Sequence, residues 1–364
     1  MMFRRIGLIL VTLLFVVLLA ACAQATQPVR IIHAFTAAHP SFVHTPYFVA
    51  RELGFWTEEG LDVHLEWTAG SALAIQMLAA GQINFTAANH DPLIFAVHRG
   101  ARMRAVFQEH TKAEFVFGVP RDSAIYTLED LKGKNIGVSS LASGFVPFAR
   151  AAFFEAGMDH QRDLNLLEVG SGATAATAIT TGQVDALGLW EVAFAALENT
   201  LGHDYFRFII PPIYDRLSCN ALITSDDFIA RHPDAVAGFL RGLAKGTVFV
   251  QTNPEAAVHI FYRQFPEARP HGRTDDEIMQ DALHVLRSEN LQRSNRNRPL
   301  QNPEGLWGFV VASELLEAQA VHYLMGTLST KKPVEYFMSN EFIERINDFD
   351  AEAIVKLAQE FVIN

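Results

Sequence analysis

The chain has 364 residues, half of them apolar, enough for two medium domains with separate cores and too many for one ordinary core. Its formal charge is −11. So acidic a chain, with no basic stripe alternating with aromatics, argues against nucleic-acid binding, which needs a basic face, and no long stretch has the polar, highly charged composition of disorder.

The chain opens with a short basic segment, Met1 to Arg5, and an uncharged run from Ile6 to Leu19. Small residues follow, Ala20-Ala21, and then Cys22. This order predicts an export signal over residues 1–21, because the apolar run is shorter than the roughly 20 residues of a spanning helix. A cysteine directly after small residues resembles the bacterial lipobox, which implies that Cys22 becomes the lipidated first residue of the mature protein. An uncleaved anchor and a plain secretory signal are the alternatives. Removal of residues 1–21 takes away Arg4 and Arg5, leaving 27 Lys and Arg against 40 acidic residues, a charge of −13. The only other cysteine is Cys219, so a lipid on Cys22 leaves no intramolecular disulfide and Cys219 reads as a small buried apolar residue.

Residues 23–28 form a polar tether. A strand is expected from Val29 to Phe35, then a helix capped by Thr45 with Pro46 at its first position and Gly54 past its end. Leu61, Val63, Leu65 and Trp67 alternate as in a half-buried strand. A helix from Ser71 to Gly81 and a strand from Ile83 to Ala88 follow. Asp91, read as a cap before Pro92, opens a helix that Gly100 ends. Met103 to Gln108 and Glu114 to Val119 read as strands.

The pattern restarts after Pro120. Thr127 and Asp130 are spaced as in a capping box, with Asp in place of Glu. Strands are expected over 135–139, 164–169, 184–189, 206–210 and 220–224, and helices over 143–157, 173–181 and 192–201, before a mostly helical C-terminal third. Strand–helix alternation of this kind predicts an α/β fold with parallel-rich sheets and helices on both faces. An internal echo supports two similar lobes: Leu78-Ala-Ala-Gly-Gln-Ile-Asn84 matches Ile179-Thr-Thr-Gly-Gln-Val-Asp185. In that register Asn89-His90 corresponds to Trp190-Glu191. The expected lobes are 29–118 plus 225–364, and 121–217, joined by two hinge crossings near 118–120 and 218–224, an arrangement suited to closure around a ligand.

Several segments resemble one family. The run Tyr47-Phe-Val-Ala-Arg-Glu-Leu-Gly-Phe-Trp-Thr-Glu-Glu-Gly-Leu-Asp-Val63 is similar to the opening segment of periplasmic solute-binding proteins of importers for sulfonates, taurine and thiamine pyrimidines. So is Leu78 to Phe85. Leu128 to Val138 looks like the start of that family's second lobe, and Gly182-Gln-Val-Asp-Ala186 like its later GxxDA element. The resemblance covers nearly the whole mature chain. It implies a two-lobed periplasmic binding protein fold of the second topological type, a monomer that works with permease and ATPase subunits of an ABC importer, and an extracytoplasmic, membrane-anchored location. The superfamily also contains a eukaryotic pyrimidine synthase with an iron-dependent site and a cysteine cluster; this chain has no such cluster.

In open α/β sheets ligands sit beyond the carboxyl ends of strands, at helix N-termini. That rule selects His39, Phe42 and His44 in the loop after the first strand, then Gly70 and Ser71, Asn89 and His90, and His110 in the Glu109-His110 loop. In the second lobe it selects Ser139, Ser140, Ser143 and Gly144, then Trp190 and Glu191. The resemblance adds Tyr214, because the family often places an aromatic there. The serine loop offers hydroxyls and backbone N–H groups, although Ser143 as an ordinary N-cap would look the same. Trp190 suits stacking on a flat ligand and Glu191 suits accepting from ring N–H groups; a core Trp and a helix-start Glu are the plain alternatives. Fourteen histidines match no zinc signature, and neither a metal nor another cofactor is expected. Gly-x-Ser-x-Gly, the P-loop and His-Glu-x-x-His do not occur, so an enzyme is not expected.

The selected loops carry no Arg or Lys, and Arg121 lies near the first expected crossing. Aromatic, His and acidic residues favour a flat nitrogen heterocycle such as a thiamine-precursor pyrimidine. A small anion such as an alkanesulfonate is the runner-up, since helix N-termini can hold one. A metal-binding or sensory lipoprotein is the competing class.

Overall fold

The strands of the computed structural model are β1 (Val29–Phe35), β2 (Leu61–Trp67), β3 (Phe85–Asn89), β4 (Met103–Gln108), β5 (Phe115–Pro120), β6 (Asn135–Val138), β7 (Asn165–Glu168), β8 (Ala186–Trp190), β9 (Phe206–Ile209) and β10 (Asn220–Ser225). The helices are α1 (Thr45–Glu52), α2 (Ser71–Ala79), α3 (His90–His98), α4 (Phe145–Glu155), α5 (Ala173–Thr180), α6 (Glu191–Leu201), α7 (Asp226–Arg231), α8 (Pro233–Thr252), α9 (Pro254–Gln264), α10 (Asp275–Gln292), α11 (Ala312–Leu324), α12 (Ile343–Ile346) and α13 (Ala351–Gln359). The structure describes residues 27–363 apart from 38, 218–219, 294–299 and 301. The expected signal segment, Cys22 and Cys219 lie outside the described residues.

The strands form two five-stranded sheets, ordered β2-β1-β3-β10-β4 and β7-β6-β8-β5-β9. In the first, β1 pairs in parallel with β2 and β3, while β10 runs antiparallel to β3 and β4. In the second, β6 pairs in parallel with β7 and β8, while β5 runs antiparallel to β8 and β9. Each sheet thus takes one antiparallel strand, and it is the strand that arrives from the other lobe. The geometry explains this. Parallel strands point their carboxyl ends at the cleft, so a chain crossing there enters the next sheet from its cleft edge and must run the other way.

Sheet membership corrects both crossings. The whole of β5 lies in the second sheet, so the first crossing falls between Gln108 and Phe115, ahead of the 118–120 expected from sequence. Likewise β10 lies wholly in the first sheet, so residues 220–224 belong to that lobe rather than to a linker. Most other elements fall within a residue or two of expectation.

The sequence echo has a structural counterpart. Gly81 and Gly182 end α2 and α5 in the left-handed region, at φ 70° and 71°. Asn84 donates its backbone N–H to Ile32 O and accepts from Ile32 N–H through Oδ1, both at 2.8 Å. Asp185 does the same with Asn135, through Oδ2, also at 2.8 Å. These paired clamps set β3 beside β1 and β8 beside β6 at equivalent heights, so Asn89 and Trp190 end equivalent strands.

One face of the first sheet packs on a core that joins α1 to α8 and α9 through Tyr47, Phe48, Trp56, Phe239, Phe249 and Phe261. The C-terminal third therefore thickens one lobe, and α10 reaches back to pack on α6 of the other. Thr127 and Asp130 bond reciprocally as expected, Thr127 N–H to Asp130 Oδ2 at 2.9 Å and Asp130 N–H to Thr127 Oγ1 at 3.3 Å. Asp91 does not cap: Asn89 holds the N-cap position of α3, and Asp91 lies in its first turn, 3.0 Å from His322 Nε2.

Candidate functional site

A cavity of about 600 Å³ opens between the two sheets, walled by the ends of strands from both lobes. From the first lobe come His39, Ser41 and His44 after β1, Gly70 and Ser71 after β2, and Asn89 at the end of β3. From the second come Ser139, Ser140, Ser143 and Gly144 after β6, Gly170 to Thr174 after β7, and Trp190 ending β8. The lobes touch across it. Ser140 Oγ donates to Ala69 O at 3.0 Å, and a Cβ on Gly144 would stand 1.6 Å from Asn89 Oδ1. Val192 and Ala195 on α6 meet Val285 on α10 beside Trp190. These contacts describe a shut cleft.

Of the residues selected from sequence, the structure brings His39, His44, Gly70, Ser71, Asn89, Ser139, Ser140, Ser143, Gly144 and Trp190 onto this wall. Phe42, His90, His110, Glu191 and Tyr214 are not on it. Phe42 turns into the first lobe, 4.4 Å from the Phe261 ring centre. His90 and Glu191 are the first residues of α3 and α6, and about 100° of helical rotation carries their side chains away from the preceding strand end. Glu191 instead accepts from Tyr214 OH at 2.7 Å, which takes both off the cleft. Ser143 Oγ accepts from Phe145 N–H at 3.2 Å at the start of α4, so its N-terminal bond and its place on the wall coexist.

His110 points inward, where its Nδ1 lies 2.8 Å from Glu114 and its Nε2 3.1 Å from Glu289. Burial alone would lower its pKa, but the Glu289 and Glu114 carboxylates outweigh it and raise the value to about 10, so the imidazole is a buried cation. Arg293 bonds Glu289, donates to Glu109 Oε1 at 2.8 Å and to Val43 O at 2.7 Å. Tyr47 OH donates to Glu109 at 2.6 Å. Beneath the cleft therefore lies a buried network of Glu109, Glu114 and Glu289 against Arg293 and His110, three carboxylates to two cations.

Glu109 and Glu114 also form part of the cavity wall, with Glu168 at its rim. Sequence reasoning placed Glu109 in a candidate loop but chose its neighbour; it passed over Glu114, Glu168 and the Gly170-Ser171-Gly172 loop. That loop follows β7, and the strand-end rule applied to β7 points to it. Asn220, at the start of β10, joins the wall and donates to Glu114 Oε1 at 3.2 Å. Asn89 accepts from Ser71 Oγ at 3.0 Å, while its buried amide nitrogen has no hydrogen-bond partner. No Lys or Arg occurs among the described lining residues. The cleft thus offers carboxylate acceptors, amide groups, a serine-rich helix start and one large aromatic.

A Ser–His contact is present on the wall, with Ser41 Oγ 3.3 Å from His44 Nδ1. Burial lowers the His44 pKa to about 3, which makes that imidazole a poor general base. Its Nδ1 also accepts from Ser41 N–H at 3.3 Å, as in a turn-closing contact.

The Glu198, His203 and His284 side chains form a separate cluster at the lobe junction, outside this cavity. Among the described residues no helix is long and apolar enough to cross a membrane.

Comparison with known proteins agrees with this architecture. The chain is 26% identical over 220 residues to a putative binding protein of Brucella abortus, covering 58% of this chain and 65% of that one, so the match spans just under two thirds of that relative. It is 25% identical over 313 residues to a formylaminopyrimidine-binding protein of Halalkalibacterium halodurans, covering 81% of this chain and 87% of that one. In structure it resembles the alkanesulfonate-binding protein of Xanthomonas axonopodis pv. citri bound to MOPS, with a TM-score of 0.60, 17% identity, and coverage of 88% and 99% of the two chains, a likeness of fold. The two sheets with one exchanged strand each are the periplasmic binding protein fold expected from sequence. Residues 41–257, more than half of the chain, match the family described as NMT1/THI5 like, and the chain belongs to that family.

Proposed function

We propose that this protein is the solute-binding component of an ABC-type importer and that its solute is a flat nitrogen heterocycle rich in hydrogen-bond donors, such as a thiamine-precursor pyrimidine. The observation that carries the solute class is the cleft wall, which presents Glu109, Glu114 and Glu168 without a lining Lys or Arg among the described residues. Ring N–H and exocyclic amine groups donate to the lone pairs such acceptors keep beside their buried partners Arg293 and His110, whereas an anion placed there meets three carboxylates with no Lys or Arg among the described lining residues. Trp190 stacks on the ring face, and the Asn89 amide donates to a ring nitrogen or oxygen. The relative named for formylaminopyrimidine supports the same class.

The mechanism needs no covalent step. An open form takes the solute on one lobe, the two crossings bend, and Ser140 and Gly144 close against Ala69 and Asn89. Contacts made only in the shut form bias the equilibrium toward it, and that form docks on a permease. Cys22 carries the lipid that holds the protein on the extracytoplasmic membrane face.

The second reading is an alkanesulfonate, favoured by the hydroxyl and N–H groups of Ser139 to Phe145 at a helix start. Thermal-shift and calorimetric titration of aminopyrimidines against alkanesulfonates separates the two. Stabilisation by pyrimidines supports the proposal, and stabilisation by sulfonates alone overturns it.

A further inference from the structure

The two lobes meet a second time where α6 lies along α10. Asn199 on α6 donates to Asp281 O on α10 at 3.1 Å. One turn away, Glu198 Oε2 lies 3.5 Å from His284 Nε2, a buried nitrogen with no hydrogen-bond partner. His203, just past the end of α6, sets its ring edge-on to His284 with centroids 4.7 Å apart. One donor atom from each of Glu198, His203 and His284 lies within 4.8 Å of the other two.

We propose that Glu198, His203 and His284 form a transition-metal site of the zinc class that clasps the shut form of the protein. Two imidazoles and a carboxylate, with water as fourth ligand, are a borderline N/O donor set that suits zinc. A tetrahedral ion with bonds of about 2.0–2.1 Å needs ligand atoms about 3.4 Å apart. The Glu198–His284 pair already stands at that edge. His203 is exposed and follows Gly202, so it closes the remaining distance by a side-chain rotation. Arg273 is engaged by Asp281 and leaves the site uncrowded by cations.

The consequence follows from where the ligands reside. Glu198 and His203 belong to the second lobe and His284 to the first, so the three groups bridge the lobes in this shut form. An ion with affinity for that arrangement alone shifts the equilibrium toward it without any solute. The site lies outside the solute cavity and shares only the hinge with the proposed transport role.

The test uses the full chain in detergent, with no organic solute and Zn²⁺ as the probe. Calorimetry should give one ion per chain, Co²⁺ in its place should give the visible absorption of a tetrahedral site, and spin labels on the two lobes should draw together on metal addition. His203→Ala, His284→Ala and Glu198→Gln should each weaken binding at least tenfold and abolish the inward movement. Affinity unchanged in His203→Ala, an exposed position whose replacement does not threaten folding, overturns the site. Binding with no change in inter-lobe distance overturns the clasp.

Discussion

Arg293 holds the cleft floor through Glu109, Glu289 and the Val43 carbonyl, with its side chain almost fully buried. A buried cation so placed earns its position by leaving no carboxylate alone. Arg293→Met removes the charge but keeps much of the volume, so Glu109 and Glu289 lose their main partner. The expected cost is about 3–5 kcal/mol, the usual penalty for breaking a buried pair from one side, read from chemical denaturation. Trp190 behaves differently because it is a half-buried wall residue rather than a core one. Trp190→Ala should weaken pyrimidine binding about tenfold or more with the fold intact, as stacking adds about 0.5–1.5 kcal/mol beyond area burial. An unchanged dissociation constant would remove Trp190 from the site. Of these two residues, only Trp190 was visible as a candidate in the sequence, because a strand-end position can be read locally. The partners of Arg293 lie as far as Val43, 250 residues away, and no local pattern announces them.

At the scale of elements, the serine loop and α4 carry the second lobe's half of the closure. Gly144 has an ordinary helical backbone, so alanine costs nothing locally, yet its Cβ would overlap the Asn89 amide across the cleft. Gly144→Ala should therefore leave the unfolding midpoint nearly unchanged while lowering solute affinity tenfold or more, a loss of about 1.4 kcal/mol or above. Scattering or spin-label distances should show a more open molecule. An affinity equal to the parent would mean that the shut geometry is not the binding geometry. The elements were largely legible, since period-2 strands and glycine-stopped helices are local signals. The facing of single loop residues was not. His90 and Glu191 were expected on the wall because they follow strand ends, but the first helical turn rotates them away.

For the whole molecule, two buried histidines pull stability in opposite directions with pH. His110 has its pKa raised from 6.5 to about 10, so its contribution is full below pH 6.5 and is lost as pH rises through 10. His44 has its pKa lowered from 6.5 to about 3 by burial, so its contribution is full above pH 6.5 and is lost as pH falls through 3. Stability should peak near neutrality and decline on both sides, measurable as the unfolding midpoint against pH. His110→Gln should flatten the alkaline limb and leave the acid limb in place. An alkaline limb of the same slope in that variant would mean that His110 is not the group responsible.

The sequence by itself determined the two-lobe order, the alternation that makes parallel sheets, the repeat that pairs Asn89 with Trp190, and the acidic character of the chain. These follow from local periodicity, helix stops and composition, which act within a few residues of one another. Only the tertiary structure decided where the chain crosses, which loop side chains face the cleft, and that Glu109 and Glu114 line it over a buried Arg293 and His110. Those outcomes depend on strand pairing and charge neutralisation between segments far apart in the chain, and such energies exist only once the two sheets have been assembled.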